Sequence, residues 1–506
     1  MVRIGSCAVL CIALLIPSHA VFAKEVLRTP QAAYHLDTYM RWDLVHFNNA
    51  DDLDSKLKDD KSAYVGMDYS LTLHREPVES DIIWLVKLER NGPWDNNAPV
   101  WTHSTLQTGG SRIEDYREDE FLPQFEEFWL DTSLLDALRM RVGLFTYEVG
   151  FGFSLNGSYE NYGLLLYRDT GASVVRFYYC RPDLVFKNPL GPRIRQEEDE
   201  GQSYEHNAAN FFALDALFDR DTVVVHPYIG ALVDYTSPDK RSNFFAAPIE
   251  RDIMGTVGAS LTISQGAFQY RAEFARNFGT AKSADPAYED IIHAGYLIFG
   301  EVSATYGDWH PLAQVLIGSG NKAPLEAAVD GDESIRGSRN RAFGYSSPMN
   351  DNLSDTISGT NVDVRPLVAS GCGYGLQYGV SRPSTFAASD FDNLITLSTG
   401  FDVDLTDRLN VGVYGFYLQS FEKGVGMLNG EPRELSRELG SEVDLYVDYR
   451  LNEHVLISLL SGYFFPGQYY RQMRDDTDGN FLSPFIRGDG EVDGAYQVEI
   501  AVEVTF

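Results

Sequence analysis

The sequence predicts an all-β protein: a single transmembrane antiparallel up-and-down β-barrel of about 18 strands with long extracellular loops. Three observations predict it. In the final stretch Tyr496-Gln-Val-Glu-Ile-Ala-Val-Glu-Val-Thr-Phe506, Tyr496, Val498, Ile500, Val502, Val504 and Phe506 share one face, and Gln497, Glu499, Ala501, Glu503 and Thr505 share the other. A strand alternates its side chains, so this one sets an apolar row against something greasy and a polar row against something wet. A sandwich edge in a soluble protein would alternate in the same way. The second observation is at the other end. Arg3 precedes the apolar run Cys7–Ile16, Pro17 and Ser18 break it, and small residues stand at Ala20 and Ala23. Residues 1–23 read as a cleaved secretory signal, and 24–506 as the barrel. The third is composition. After the signal, no segment offers the ~20 apolar residues of a helical span, while Tyr (29) and Phe (30) are plentiful, as aromatic girdles require. A membrane protein without apolar helices has to be a closed barrel, because lipid tolerates no open sheet edge.

Period-2 runs bounded by turn residues place strands at 34–48, 63–75, 81–90, 123–132, 138–148, 162–169, 174–180, 208–218, 222–235, 252–262, 268–278, 291–306, 311–318, 394–405, 411–421, 442–451, 455–464 and 496–506. The cleanest alternation is in 252–262, 394–405 and 442–451. The runs 411–421 and 455–464 are apolar on both faces, as expected of strands packed against a loop folded into the lumen. Tight turns such as Asp169-Thr-Gly171, Gln265-Gly266 and Asn452-Glu453 suit hairpins. Longer connections fall near 92–121, 181–207, 319–390, 423–438 and 466–491. Short turns on one side and long loops on the other are the layout of a barrel in the outer membrane of a Gram-negative cell, and the even strand count puts both termini on the periplasmic side.

Alternation also sorts the charges. Arg139, Arg141, Arg176 and Arg271 point inward, as do Glu127, Asp131, Asp402, Asp404, Glu442, Asp444, Asp448, Glu499 and Glu503. Charge facing lipid at mid-depth costs ~2–4 kcal/mol for Arg or Lys, whereas the lumen tolerates it. These are the lumen and selectivity candidates. Rings of acid favour cations and rings of arginine favour anions, and an internal salt-bridge network is the alternative use of both. Inward aromatics include Trp129, Tyr147 and Tyr178. The segment 319–390 is too long for a plain connection. With Arg336, Arg339 and Arg341 it is the candidate pore constriction or lid, and a solvated surface loop is the other reading. Tyr496 and Phe506 form the candidate assembly signal.

Other chemistry is poorly represented. The formal charge is −32, and residues 1–23 hold one base and no acid, which leaves −33 for the mature chain; such a chain is a poor nucleic-acid binder. His74, His226, His293 and His310 occur singly, with no catalytic spacing. Asp330-Gly-Asp332 and Asp475-Asp-Thr-Asp-Gly479 lack the Glu that completes a calcium loop. No metal, cofactor or catalytic site is expected. Cys180 and Cys372 remain after cleavage, enough for one disulfide.

Two regions resemble the alginate export family of outer-membrane barrels. Glu126-Glu-Phe-Trp-Leu-Asp131 with Leu138-Arg-Met-Arg-Val-Gly143 is similar to that family's acidic-aromatic strand and its Arg-x-Gly. Ile317-Gly-Ser-Gly320 with Arg336-Gly-Ser-Arg-Asn-Arg341 and Phe343-Gly344 is similar to its Gly-Ser-Gly and Arg-rich stretch. Gly440-Ser-Glu-Val-Asp-Leu445 and Gly462-Tyr-Phe-Phe-Pro-Gly467 resemble it more weakly. Where that family continues with arginines and a glutamine, this chain reads Gly143-Leu-Phe-Thr-Tyr-Glu-Val149. The resemblance implies an exopolysaccharide export channel, working as a single barrel with periplasmic export components. The residues alone also fit a diffusion or substrate-specific porin with an acidic, cation-favouring lumen, or a plugged barrel serving as adhesin or scaffold. Outer-membrane lipid, lipopolysaccharide and the barrel assembly machinery are the expected partners in each case.

Overall fold

In a computed structural model, one antiparallel sheet closes on itself as a barrel. It describes residues 24–29, 31–48, 62–77, 81–90, 124–135, 137–153, 155–157, 161–182, 209–235, 248–322, 338–341, 343, 393–428, 431–474 and 492–505. The 18 barrel strands are β1 (Ala32–Asn48), β2 (Ser62–Pro77), β3 (Ile83–Arg90), β4 (Gln124–Leu135), β5 (Leu138–Leu144), β6 (Asn161–Asp169), β7 (Ser173–Pro182), β8 (Ala209–Arg220) and β9 (Val223–Asp234). They continue with β10 (Ile249–Gln265), β11 (Phe268–Ser283), β12 (Tyr296–Ala304), β13 (Trp309–Gly318), β14 (Leu394–Thr406), β15 (Leu409–Ser420), β16 (Glu438–Arg450), β17 (Val455–Pro466) and β18 (Ala495–Thr505). Each pairs with its chain neighbours, and β18 pairs with β1 from Tyr39↔Thr505 to Asn48↔Tyr496.

The alternation read from the sequence is the barrel's inside–outside rule. Phe128, Leu214, Val257, Phe274, Leu397 and Val443 stand exposed on the outer face. Their strand neighbours Trp129, Asp215, Thr256, Glu273, Ser398 and Glu442 are buried in the lumen. An apolar belt around a sheet with no free edge is what a bilayer demands, and it places the protein in the outer membrane. At the periplasmic rim β1 runs on past the end of β18. There Lys24–Arg28 pairs with Ala33–Leu36 and covers an edge that would otherwise be open to other chains.

Several strands extend a few residues beyond the expected bounds, and two expected strands are broken. The run 138–148 leaves the wall at Leu144, and Tyr147–Val149 pairs instead with Leu155–Gly157 in a separate hairpin. The run 291–306 is broken at Ala294-Gly295. Ile291–His293 pairs in parallel with Arg339–Asn340, and the barrel strand starts only at Tyr296. Strands 411–421 and 455–464 do pack inward as expected. Tyr414, Phe416, Leu418 and Phe464 bury against Leu435, Leu439, Tyr469 and Tyr470, from the 431–435 segment, β16 and the helix Gln468–Arg474. Cys180 is buried and has no disulfide partner among the described residues. Cys372, residues 1–23, Arg336, Phe506 and both Asp-rich loop motifs lie outside the described residues.

Candidate functional site

The lumen holds two inserts. The first leaves the wall after Leu144, just past Gly143, whose φ is +135°. A side chain there would meet the Phe128 carbonyl oxygen at 2.2 Å, so only glycine permits both the turn and the β4–β5 pairing. Beyond it, Phe145, Tyr147, Val149, Phe151, Phe153 and Leu155 are all buried against the walls of β4 and β6–β12. Tyr147 stacks on Phe211 with centroids 5.4 Å apart, Phe153 lies 4.9 Å from Phe299, and the Arg271 guanidinium is 5.5 Å from the Phe151 ring. Each buried side chain contributes roughly 2 kcal/mol, while ordering the backbone costs about 1–2 kcal/mol per residue. The two are of similar size, so the polar contacts decide whether the insert stays docked.

Those contacts centre on Gly150, which has a φ of +70°. Its N–H donates to His226 Nδ1 at 3.2 Å, and the next N–H, of Phe151, donates to Glu273 Oε2 at 2.6 Å. Glu273 Oε1 accepts the Tyr228 hydroxyl at 2.6 Å. His226 Nε2 faces Asp215, which also holds Arg176 through Nε at 3.0 Å. Glu148 is the one charged side chain in 145–157. Burial pushes its carboxyl up to about 7 although the Arg176 charge pulls the other way.

The second insert is the start of the 319–390 loop. Ser319 Oγ donates to the Arg341 carbonyl at 2.7 Å and the Phe343 N–H donates to the Ser319 carbonyl at 2.9 Å. Phe343 is thereby fully buried in the same apolar cluster as the hairpin. Arg339 and Arg341 are exposed on this strip.

The four arginines that the sequence sorted inward, Arg139, Arg141, Arg176 and Arg271, are all engaged by carboxylates. Arg139 and Arg141 bind Asp131 at 2.8 and 3.2 Å, and Tyr167 donates to the same carboxylate at 3.0 Å. Arg141 also covers the Trp129 ring at 3.8 Å, and Trp129 Nε1 donates to Glu127 at 2.9 Å. Arg271 grips Glu301 with two bonds of 2.7 Å. Across the lumen the balance tips. Asp402, Asp404, Glu442, Asp444, Asp448, Glu499, Glu503 and Asp43 line β14–β18 and β1. Among the described inward side chains there, the bases are Arg41 and, at the rim, Arg450. Asn410 bridges Asp402 and Asp404 at 3.1 and 2.8 Å, and Ser458 donates to Asp448 at 2.6 Å. Tyr496 lies on the outward face of β18, its ring 5.9 Å from His46.

No protein-family model and no curated protein matches the chain. Among solved structures, it is similar over 94% of its length to OccAB3 of Acinetobacter baumannii (99% of that chain, 8% identity, TM-score 0.49). It is similar also to OccK11 (OpdR) of Pseudomonas aeruginosa (94% and 96%, 10% identity, TM-score 0.46) and to a BenF-like porin from Pseudomonas fluorescens Pf-5 (94% and 98%, 9% identity, TM-score 0.48). The chain is an 18-strand β-barrel of the outer membrane. The resemblance to the alginate export family is overturned: no model of that family matches, and the structural neighbours are Occ proteins and a porin. The motifs behind it serve this barrel's own geometry. Gly143 launches the hairpin, and Ser319 clamps the second insert.

Sequence reasoning missed Glu148, His226, Glu273 and His293. The histidines look solitary in the chain, yet His226 meets Asp215, His293 meets Asp252, His74 meets Asp37 and His310 meets Asp404. One signal was available. In phase with Arg139 and Arg141, the row from Phe145 to Leu155 would face water, which marks a segment packed against something inside.

Proposed function

We propose that the protein is a diffusion channel of the outer membrane whose acidic lumen favours cations. The carrying observation is the asymmetry of the lumen. The arginines of β5, β7 and β11 are each held by a carboxylate, Asp131 serving two of them and Asp215 and Glu301 one each, while the described inward side chains of β14–β18 and β1 present acids well in excess of bases. Low-dielectric walls concentrate the field of a lumen lined with more acids than bases, raising the local cation concentration. The inserts narrow the passage, so the solutes are small cations or small polar molecules with a cationic group. The channel works as a single barrel in lipid and lipopolysaccharide, delivered by the barrel assembly machinery through its C-terminal strand. The reading is tested by the reversal potential of purified protein in a planar bilayer under a potassium chloride gradient. A cation preference is expected. An anion preference overturns the reading, and absence of conductance replaces it with a plugged barrel.

A further inference from the structure

We propose that the two inserts are held by a matched pair of histidine latches that protons release, making the lumen acid-opened. Its electrical readout rests on the channel reading above; its structural readout does not.

The first latch is His226. Its Nδ1 accepts the Gly150 N–H at 3.2 Å. A ring nitrogen that accepts carries no hydrogen, so the ring hydrogen sits on Nε2, toward Asp215. The second latch has the same logic at the end of a relay. The Arg341 N–H donates to Asn321 Oδ1 at 2.7 Å, and Asn321 Nδ2 donates to Asn340 Oδ1 at 2.7 Å. This turns Asn340 Nδ2 toward His293 Nδ1 at 3.4 Å and leaves His293 Nε2–H for Asp252 Oδ1 at 2.8 Å. A backbone N–H can only donate, so the direction of the relay is fixed from end to end. Two inserts, on different strands, thus dock on the Nδ1 of a buried histidine backed by a buried carboxylate.

Protonation places a hydrogen on Nδ1, and donor then faces donor. The surrounding charges do not undo this. Around His226 stand Asp215 and Arg176, whose Nη2 is 3.1 Å from Nε2, then Ser260 across on β10, Tyr228, Glu273 on β11, and Glu148 on the insert. Around His293 stand Asp252, Asp234 opposite it on β9, Asn340, and Arg339 and Arg341 on the loop strip. Proton uptake by Glu273 leaves an oxygen that still accepts the Phe151 N–H. Proton uptake by Glu148 removes a buried charge. Neither expels the insert, so release falls to the histidines, whose Nδ1 is the acceptor that a proton would occupy.

The test is hydrogen–deuterium exchange in detergent micelles at pH 8 and about 5, corrected for intrinsic rates, alongside single-channel conductance. Amides in 145–157 and 338–343 are expected to exchange about tenfold faster in acid, the factor for losing one buried hydrogen bond, while barrel strands stay protected and conductance rises. In the double variant His226→Asn/His293→Asn, Oδ1 replaces Nδ1 as acceptor and takes no proton, so both responses should vanish. Exchange unchanged by acid in the natural protein, which needs no variant to fold, overturns the proposal. An undiminished acid response in a double variant that retains heat-modifiable gel migration also overturns it. An anion-selective or silent bilayer overturns the channel reading alone.

Discussion

Arg41 on β1 donates to Glu499 on β18 at 2.6 Å, so the first and last strands of the barrel are tied by charge at the line where it closes. The same guanidinium reaches Glu503 at 3.0 Å and Asp43 at 2.6 Å, one cation serving three carboxylates. Replacing it (Arg41→Gln) leaves three acids facing one another. A fully buried pair broken this way costs 3–5 kcal/mol; with Arg41 partly wetted by the lumen, a loss of about 2–3 kcal/mol is expected. Urea unfolding in vesicles would measure it.

Gly143 gives a second prediction. Gly143→Ala forces a Cβ to within 2.2 Å of the Phe128 carbonyl at a φ that L-residues avoid. The expected cost is about 1–3 kcal/mol, read as a lower temperature for the heat-modifiable gel transition. An unchanged transition would mean that the chain can leave the wall without this turn.

Glu148 should set a pH-dependent selectivity. Its carboxyl, held up at about 7, is neutral below that pH and charged above it. Cation preference should therefore rise with pH through neutrality, opposite in sense to the acid-driven rise in conductance. Glu148→Gln should flatten the reversal potential across that range while leaving conductance in acid intact.

Phe343 anchors the second insert from a fully buried position. Phe343→Ala removes an aromatic anchor typically worth 3–5 kcal/mol, and the loss should stay local because the barrel's own pairing is untouched. Trypsin should cut after the exposed Arg339 or Arg341 faster than in the natural protein, with the barrel fragments still associated. Equal cutting rates would show that the hydrogen bonds from Ser319 and Asn321 hold the strip without Phe343.

Much of the wall was legible because period-2 alternation is a local property. A strand between lipid and water writes its two faces into neighbouring residues, as in Asp252–Thr262, where Asp252, Thr256 and Ser260 are buried and Val257 is exposed. The same rule put Arg139, Arg176 and Asp444 on the inward side. It failed at Leu144, where the alternation runs on unbroken but the chain does not stay in the sheet. Nothing in the order Gly143-Leu-Phe-Thr-Tyr marks the departure except an apolar row on the wet face.

By itself the sequence determined an all-β chain, its strand count and which side chains meet lipid, because each of these follows from residues next to one another. Only the tertiary structure decided what the inward side chains do. Asp215 neutralises Arg176 and backs His226, Asp252 backs His293, and Glu499 meets Arg41 although |i−j| is 458. Charge pairing acts over a few ångströms of space, and barrel closure brings together residues that chain order leaves far apart. The lumen's net field exists only once the barrel has closed.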